Sequence, residues 1–244
     1  MLIKYLRLIV AVVNAFQILW FKFPRASREK KLALIQNWSN NFLKVLGLHL
    51  HVEPSHESRQ ASAVNLVVSN HVSWLDVLVI QSICPSVFVA KLEVQRWPMI
   101  GHLATACGVI FVDRGSTQAA RKMVNDVATA LHHGYTVAGF PEGTSGEGDT
   151  VHVFHANLFE AAIKNDSRVL PMALRYTHAH TNAICREAAF VGELGFLASL
   201  HRIIKTGRIN VRVRLGPALP PQGHSRRTLA HLSHQHVAMQ LEAL

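Results

Sequence analysis

The sequence predicts an α/β protein with a mostly parallel central sheet flanked by helices, preceded by an apolar pair of N-terminal helices. Short runs of continuous apolarity recur along the chain, which is typical of strands covered on both faces. Mixed segments with helical spacing separate these runs, as in βαβ units. The chain has 244 residues, of which 49% are hydrophobic. This is enough apolar material for a large core.

The first element is an uncharged stretch from Leu8 to Phe21, shorter than the roughly 20 residues with which a straight helix crosses a bilayer. A basic cluster follows, made of Lys22, Arg25, Arg28, Lys30 and Lys31. Such a cluster suits an anionic, cytoplasmic membrane leaflet. A second helical pattern runs from Lys31 to Leu48. We expect residues 1–50 to lie in or dip into the cytoplasmic face of the inner membrane, with packing on the core or a single span as alternatives.

The polar stretch 53–63 predicts the start of a second domain, which we place at residues 51–244. Helical spacing at 116–133 and 153–164 predicts two of its helices, and 225–243 predicts a closing helix. Residues 208–216 alternate apolar and basic residues, which predicts an edge or half-exposed strand with a basic outer row. The apolar runs that predict buried strands are 64–69, 86–90, 108–113, 135–140 and 168–174.

Composition narrows the possible functions. Lys and Arg number 25 against 15 Asp and Glu, a net charge of +10 that predicts an anionic partner such as nucleic acid, anionic lipid or an acidic protein. Three cysteines without a CxxC pair predict a reducing compartment and no disulfides. The chain lacks the GxxxxGK[ST], GxGxxG, GxSxG and HExxH motifs. Its histidine pairs have no neighbouring Cys or carboxylate, so we expect no metal site.

The stretch "VVSNHVSWLDVLV" (67–79) places a histidine and a carboxylate between a predicted strand and a predicted helix. His71, at the exit of a buried strand, points to the crevice where α/β proteins place their sites. Asp76 can accept a hydrogen bond from one ring nitrogen and leave the other free as a base. For Asn70 or Ser73, capping of the helix is the simpler interpretation.

Two later loops also follow predicted strands. "GVIFVDRGS" (108–116) ends near Arg114, whose guanidinium could bind a phosphate or carboxylate or pair with Asp113. "GFPEGTSGEGD" (139–149) has glycines that allow backbone amides close to a ligand, and one carboxylate, Glu142, in the turn. Taken alone, the first loop is equally compatible with an Asp–Arg pair or an N-cap contact, and a glycine-rich loop is usually an ordinary turn.

The order of "NHVSWLD", "GVIFVDR", "FPEGT" and "VLPMAL" resembles the four sequence blocks of the glycerolipid acyltransferase family, which contains the bacterial 1-acylglycerol-3-phosphate acyltransferases. The resemblance covers roughly residues 64–175. It implies transfer of an acyl group from acyl-CoA or an acyl carrier protein to the hydroxyl of a lysolipid, without cofactor or metal. In the family, the residue matching His71 is the general base and the residue matching Asp76 orients it.

The resemblance also implies substrate-binding residues. Arg114 would bind the acceptor phosphate, and Pro171 would shape the acyl or acceptor pocket. The other implied substrate-binding residues are Lys91 near the site and, at the acceptor head group, Glu142, Gly143 and Thr144.

One position departs from the family pattern and leaves the acceptor open. Many phosphatidate-forming members read FPEGTRS, whereas Ser145 stands in place of that Arg, and the stretch 153–159 lacks a later basic residue. Losing two cationic contacts weakens the binding of a phosphate monoester. We expect 1-acyl-sn-glycerol-3-phosphate as the acceptor, with lyso-ornithine lipid or another lysolipid as the alternative.

Two other classes of protein are possible. A non-enzymatic membrane or nucleic-acid binding protein would explain the charge but not His71 and Asp76, and the basic residues lack interleaved exposed aromatics. We therefore expect no nucleic-acid partner. A lipid hydrolase would release free fatty acid without an acceptor.

Overall fold

A computed structural model describes residues 2–53, 65–113 and 115–244. The strands within these residues are β1 (Leu48–Glu53), β2 (Leu66–Ser69), β3 (Val87–Lys91), β4 (Ile110–Val112), β5 (Val137–Gly139), β6 (Val169–His178) and β7 (Ile209–Leu215). They form one sheet in the order β1-β7-β6-β2-β5-β3-β4. The strands from β6 to β4 in this order are mutually parallel, and β7 is antiparallel to β6 and parallel to β1. The predicted α/β fold with a mostly parallel sheet is confirmed.

Helices cover both faces of this sheet. They are α1 (Leu2–Gln17), α2 (Arg28–Leu46), α3 (Leu75–Ile83), α4 (Leu92–Gln95), α5 (Ile100–Ala106), α6 (Thr117–His132), α7 (Asn157–Lys164), α8 (Phe196–Thr206) and α9 (Arg226–Glu242). One core cluster joins the sheet to α1, α2, α3 and α8, and a second joins it to α6, α7 and α9. We call these the first and second faces of the sheet.

Strand β2 explains why continuous apolarity predicts a central strand. All four of its residues are buried. Val67 belongs to the core cluster of the first face, whereas Leu66 and Val68 belong to that of the second. Alternate side chains of a strand point to opposite faces, so a strand covered on both faces must be apolar at every position.

The N-terminal helix is longer than the sequence predicted. A π-helical turn (Ile18–Lys22) and a 3₁₀ turn (Phe23–Arg25) continue α1. The resulting helical stretch Leu2–Arg25 is 24 residues long, and its length and composition would allow it to cross a membrane. It packs on α2, where the indole Nε1 of Trp38 donates a hydrogen bond to the carbonyl oxygen of Ala11 (2.9 Å). Its exposed apolar side chains are Leu2, Ile3, Leu6, Ile9, Val10, Val13, Trp20 and Phe21.

Two predictions about the far end of the sheet need correction. Residues 209–215 form β7, which is half-exposed as predicted but lies between β1 and β6, so the alternative of an edge strand is wrong. Its outward row is basic as predicted, and there Arg212 and Arg214 donate hydrogen bonds to the carboxylate of Glu53 on β1. These bonds hold the pKa of Glu53 below its usual value. The sequence did not predict β1, which crosses the proposed boundary at residue 50, and residues 54–64 lie outside the described chain.

Candidate active site

The candidate site lies at the carboxyl ends of the parallel strands, because these ends meet at one edge of the sheet. His71 follows β2, Glu142 follows β5, and Lys91 is the last residue of β3. Strands β2, β5 and β3 are neighbours. Arg114, predicted to bind phosphate after β4, lies outside the described residues.

The predicted pair of His71 and Asp76 is in direct contact. The Nδ1 atom of His71 lies 2.8 Å from Oδ2 of Asp76. The same oxygen accepts hydrogen bonds from the backbone amides of Val72 (2.6 Å) and Ser73 (2.9 Å). Asp76 stands in the first turn of α3, where the helix dipole favours a carboxylate, and it reaches back to these two amides of the preceding loop. Its side chain is fully buried, while that of His71 is 24% exposed.

A tyrosine that the sequence analysis missed completes this arrangement. The hydroxyl of Tyr176, on β6, donates a hydrogen bond to Oδ1 of Asp76 (2.6 Å). Burial and the charge of Asp76 raise the pKa of Tyr176 well above its usual value, so the hydroxyl keeps its proton. The residue follows the block "VLPMAL" by two positions, but no local pattern links it to Asp76.

Residues 70–74, which join β2 to α3, form a segment that we call the histidine loop. Two neighbours fix its orientation. The ring of His71 stacks on that of Phe140, with centroids 4.0 Å apart and planes at 8°. The side chain of Asn70 bonds to both the amide (2.8 Å) and the carbonyl (3.0 Å) of Leu174, which ties the end of β2 to β6. The interpretation of Asn70 or Ser73 as a helix cap is therefore wrong. Among the described residues, the hydroxyl of Ser73 has no hydrogen-bond partner.

Glu142 holds the main chain of the same histidine. Its Oε1 accepts a hydrogen bond from the backbone amide of His71 (2.9 Å), and its Oε2 accepts one from the amide of His152 (3.2 Å). The ring Nδ1 of His152 lies 3.3 Å from Oε2. Burial raises the pKa of Glu142 to about 7, and the two amide bonds offset only part of this shift.

The glycine-rich loop, residues 139–149, packs directly on the histidine loop. The amide of Gly146 donates a hydrogen bond to the carbonyl of His71 (2.8 Å). A Cβ atom at Gly148, whose φ is +88°, would lie 3.2 Å from a methyl group of Val72. The hydroxyl of Ser145 bonds to the carbonyl of Phe190, whose own amide donates to the carbonyl of Val72 (2.8 Å).

The remaining predicted residues take different positions. Gly143 turns the chain at a φ of +73° and donates its amide to the carbonyl of Phe140 (3.0 Å). Thr144 and Lys91 are exposed at the same edge of the sheet. Pro171 is buried within β6 opposite Val68, and it alternates with Val169 and Ala173, which belong to the core cluster of the second face.

One group of possible metal ligands occurs in the described part of the chain, outside this site. The ligand atoms of His178, Cys185 and Glu187 all lie within 4.8 Å of one another. They also satisfy each other, because Oε2 of Glu187 lies 3.2 Å from the ring of His178 and 3.5 Å from the thiol of Cys185. Burial raises the pKa of the Cys185 thiol to about 11.

Comparison with known proteins adds independent information. The model of the family described as Acyltransferase matches residues 50–175. The chain is similar to lyso-ornithine lipid O-acyltransferase of Pseudomonas aeruginosa, with 34% identity over 72% of this chain and 67% of the relative. It is also similar to 1-acyl-sn-glycerol-3-phosphate acyltransferase of Neisseria meningitidis serogroup B, with 33% identity over 61% of this chain and 57% of the relative.

A solved structure has the same fold. The crystal structure of the 1-acyl-sn-glycerophosphate acyltransferase from Thermotoga maritima superposes with a TM-score of 0.67 at 20% sequence identity. The match covers 98% of this chain and 97% of the other. It therefore includes the N-terminal helices as well as the sheet.

Proposed function

The chain belongs to the acyltransferase family, and on this premise we propose that it moves a fatty acyl group from a thioester to the hydroxyl of a membrane lysolipid. The donor would be acyl-CoA or an acyl carrier protein. The observation that carries the proposal is the contact of His71 with the buried Asp76, at the carboxyl edge of the sheet. It leaves Nε2 of a partly exposed imidazole free to act as a base.

The proposed reaction proceeds by general-base catalysis. Nε2 of His71 takes the proton of the acceptor hydroxyl while that oxygen attacks the thioester carbonyl carbon. Asp76 stabilises the imidazolium that forms, as in other histidine–carboxylate pairs. The tetrahedral intermediate then collapses, the carbon–sulfur bond breaks, and the thiolate recovers the proton from His71. The products are the diacylated lipid and the free thiol, and no group of the protein is acylated.

We propose lyso-ornithine lipid as the acceptor. In the position that many phosphatidate-forming relatives fill with Arg, Ser145 directs its hydroxyl to the carbonyl of Phe190. The next charged residues of this loop are the carboxylates Glu147 and Asp149, and both pair with Arg186. Such a loop has no excess positive charge for a phosphate monoester, and it tolerates a head group that carries an ammonium.

The second candidate acceptor is 1-acyl-sn-glycerol-3-phosphate. The relative from Neisseria carries this activity in its name. Arg114 ends the second of the four blocks and would supply a cation for the phosphate. In this case the reaction and the role of His71 are unchanged, and only the head group differs.

We also propose that the enzyme works at the cytoplasmic face of the membrane, where its acyl donors are found. The helical stretch Leu2–Arg25 exposes a row of large apolar side chains. The basic residues that follow it suit an anionic leaflet.

A panel of acceptors tests the proposal. Purified enzyme would be given labelled acyl-CoA or acyl carrier protein with lyso-ornithine lipid, lysophosphatidic acid or another lysophospholipid. We expect transfer to lyso-ornithine lipid and its loss in His71→Ala. Preference for lysophosphatidic acid would favour the second candidate. Release of fatty acid without an acceptor, or full turnover in His71→Ala, would contradict the mechanism.

A further inference from the structure

Two large apolar side chains are mostly exposed beside the candidate site. Met99 is 56% exposed and Leu197 is 77% exposed. Met99 precedes α5, and Leu197 is in the first turn of α8. Met99 lies two residues after Trp97, Leu197 directly follows Phe196, and the rings of Trp97 and Phe196 have centroids 5.6 Å apart. Adjoining exposed apolar side chains rimmed by polar residues are typical of a membrane or protein contact.

The surface is connected to the catalytic histidine by aromatic contacts. The ring of Phe196 lies 4.9 Å from that of Trp74, three residues after His71. The indole nitrogen of Trp74 donates a hydrogen bond to Ser199 on α8 (3.1 Å). The start of α8 is therefore fixed against the histidine loop, and Leu197 is held close to the site.

The same surface continues the exposed apolar row of α1. Leu197 and His201 are four residues apart and lie on one side of α8. His201 contacts Tyr5 of α1 through its ring nitrogen, and Lys4 of α1 donates to the carbonyl of Ile204 on α8 (3.4 Å). Leu197 thus lies one helical turn beyond the joint between α8 and α1. The exposed residues Leu2, Ile3 and Leu6 begin on the other side of that joint.

The backbone at Met99 is held in an unfavourable conformation that keeps the side chain outward. Its φ of +61° is unusual for a residue other than glycine. Helices α4 and α5 pack closely beside it, since a Cβ atom at Gly101 would come within 2.0 Å of the carbonyl oxygen of Gln95. An exposed methionine in a strained, tightly packed turn indicates a role at the surface.

We propose that Met99 and Leu197 form a second membrane contact, which inserts into the lipid surface next to the active site. The inference rests on the proposed function, because a lysolipid acceptor must pass from that surface to His71. Both side chains are uncharged and apolar. The contact is therefore apolar and insensitive to salt, unlike attraction between the basic cluster after α1 and anionic lipid.

Vesicle sedimentation of the full chain tests this contact. The double variant Met99→Gln/Leu197→Gln removes apolar surface without adding charge. The matched control is Val153→Gln/Met239→Gln, whose side chains are 79% and 56% exposed. Val153 and Met239 adjoin elements of the second face of the sheet. The vesicles would contain phosphatidylcholine and phosphatidylglycerol, at low and at high salt.

We expect the double variant to bind vesicles on the order of tenfold more weakly than wild type at both salt concentrations, since each side chain contributes its own burial free energy. The control should bind as wild type. Equal binding of the double variant and wild type, or an equal loss in the control, would overturn the inference. The single variant Leu197→Gln, expected to lose part of the binding, gives the same reading if the double variant folds poorly.

A second readout separates this inference from the proposed function. Turnover of a short-chain lysolipid, dispersed below its micelle concentration, requires the catalytic site but no membrane. The double variant should keep wild-type turnover in this assay and lose turnover on vesicles. Absence of transfer in the wild type would contradict the proposed function, while vesicle binding would still decide the second contact.

Discussion

Two buried carboxylates, Asp76 and Glu142, form hydrogen bonds to His71, and they differ in the number of hydrogen-bond donors around them. Asp76 accepts hydrogen bonds from four groups: the ring of His71, two backbone amides and the hydroxyl of Tyr176. Glu142 accepts from two amides, with the ring of His152 at a longer 3.3 Å. Burial correspondingly raises the pKa of Glu142 to about 7.

The comparison distinguishes a reactive pair, His71 and Asp76, from a supporting pair, Glu142 and His152. Asp76 orients the ring of His71, whereas Glu142 fixes the backbone amide of the same residue. Full hydrogen bonding stabilises a buried negative charge, and partial hydrogen bonding leaves it costly. We infer that the first pair performs chemistry and that the second holds the glycine-rich loop in place.

The largest difference is expected when each of the two histidines, His71 and His152, is replaced by alanine in turn. His71→Ala should lower kcat by about 10²–10⁴-fold, the usual contribution of a general base. His152→Ala should stay within roughly tenfold of wild type, because its half-exposed ring makes one long contact worth about 1 kcal/mol or less. Steady-state kinetics of both purified variants provide the measurement. Equal damage from the two substitutions would mean that the pairs do not differ in role.

A smaller effect is expected when one donor of Asp76 is removed. Tyr176→Phe deletes the 2.6 Å hydrogen bond and should lower the free energy of unfolding by about 1.5–3 kcal/mol, as for bonds to charged groups. It should also lower kcat, but less than His71→Ala does. Urea unfolding and kinetics would test this. Tyr5→Phe, which removes an exposed bond to His201, is the matched control and should change little.

The smallest effect is a change in the pH dependence of stability. The pKa of Glu142 is raised from an ordinary 4.5 to about 7, so between these values the folded state binds more protons than the unfolded state. Its contribution to stability is therefore complete below about pH 4.5 and is lost as the pH rises through about 7. Glu142→Gln should remove this loss. Unfolding free energies of both proteins from pH 5 to 8 should diverge in slope, and parallel curves would argue against a raised pKa.

The sequence predicted those elements and contacts that depend on residues close together in the chain. Continuous apolar runs located β2 to β6, and the five-residue spacing of His71 and Asp76 lies within one strand-to-helix junction. Strand β1 was not predicted because its apolar residues alternate with His49 and His51 and give no continuous apolar run. Its partner β7 also lies far away in sequence. Its stability comes from that pairing, which no local pattern shows.

In the candidate site, too, the sequence predicted only those contacts that join residues close together in the chain. Tyr176 lies 100 residues after Asp76 and reaches it only because β6 pairs with β2. The support that Glu142 gives to the amide of His71 also depends on neighbouring strands, here β2 and β5. The motifs therefore indicated which residues matter, while the fold determined what each one contacts.

Helix α2 has a practical consequence for anyone who wants a detergent-free enzyme. Its side chains Phe42, Leu43 and Leu46 belong to the core of the first face. Gln36 and Asn40 donate hydrogen bonds to the carbonyl of Ser82 (3.1 and 3.3 Å), near the end of α3. Deleting the N-terminal helices together would uncover that core and leave the carbonyl unpaired, so truncation at residue 50 should yield aggregates. Solubility is better sought by polar replacement of the outward residues of α1, with α2 intact.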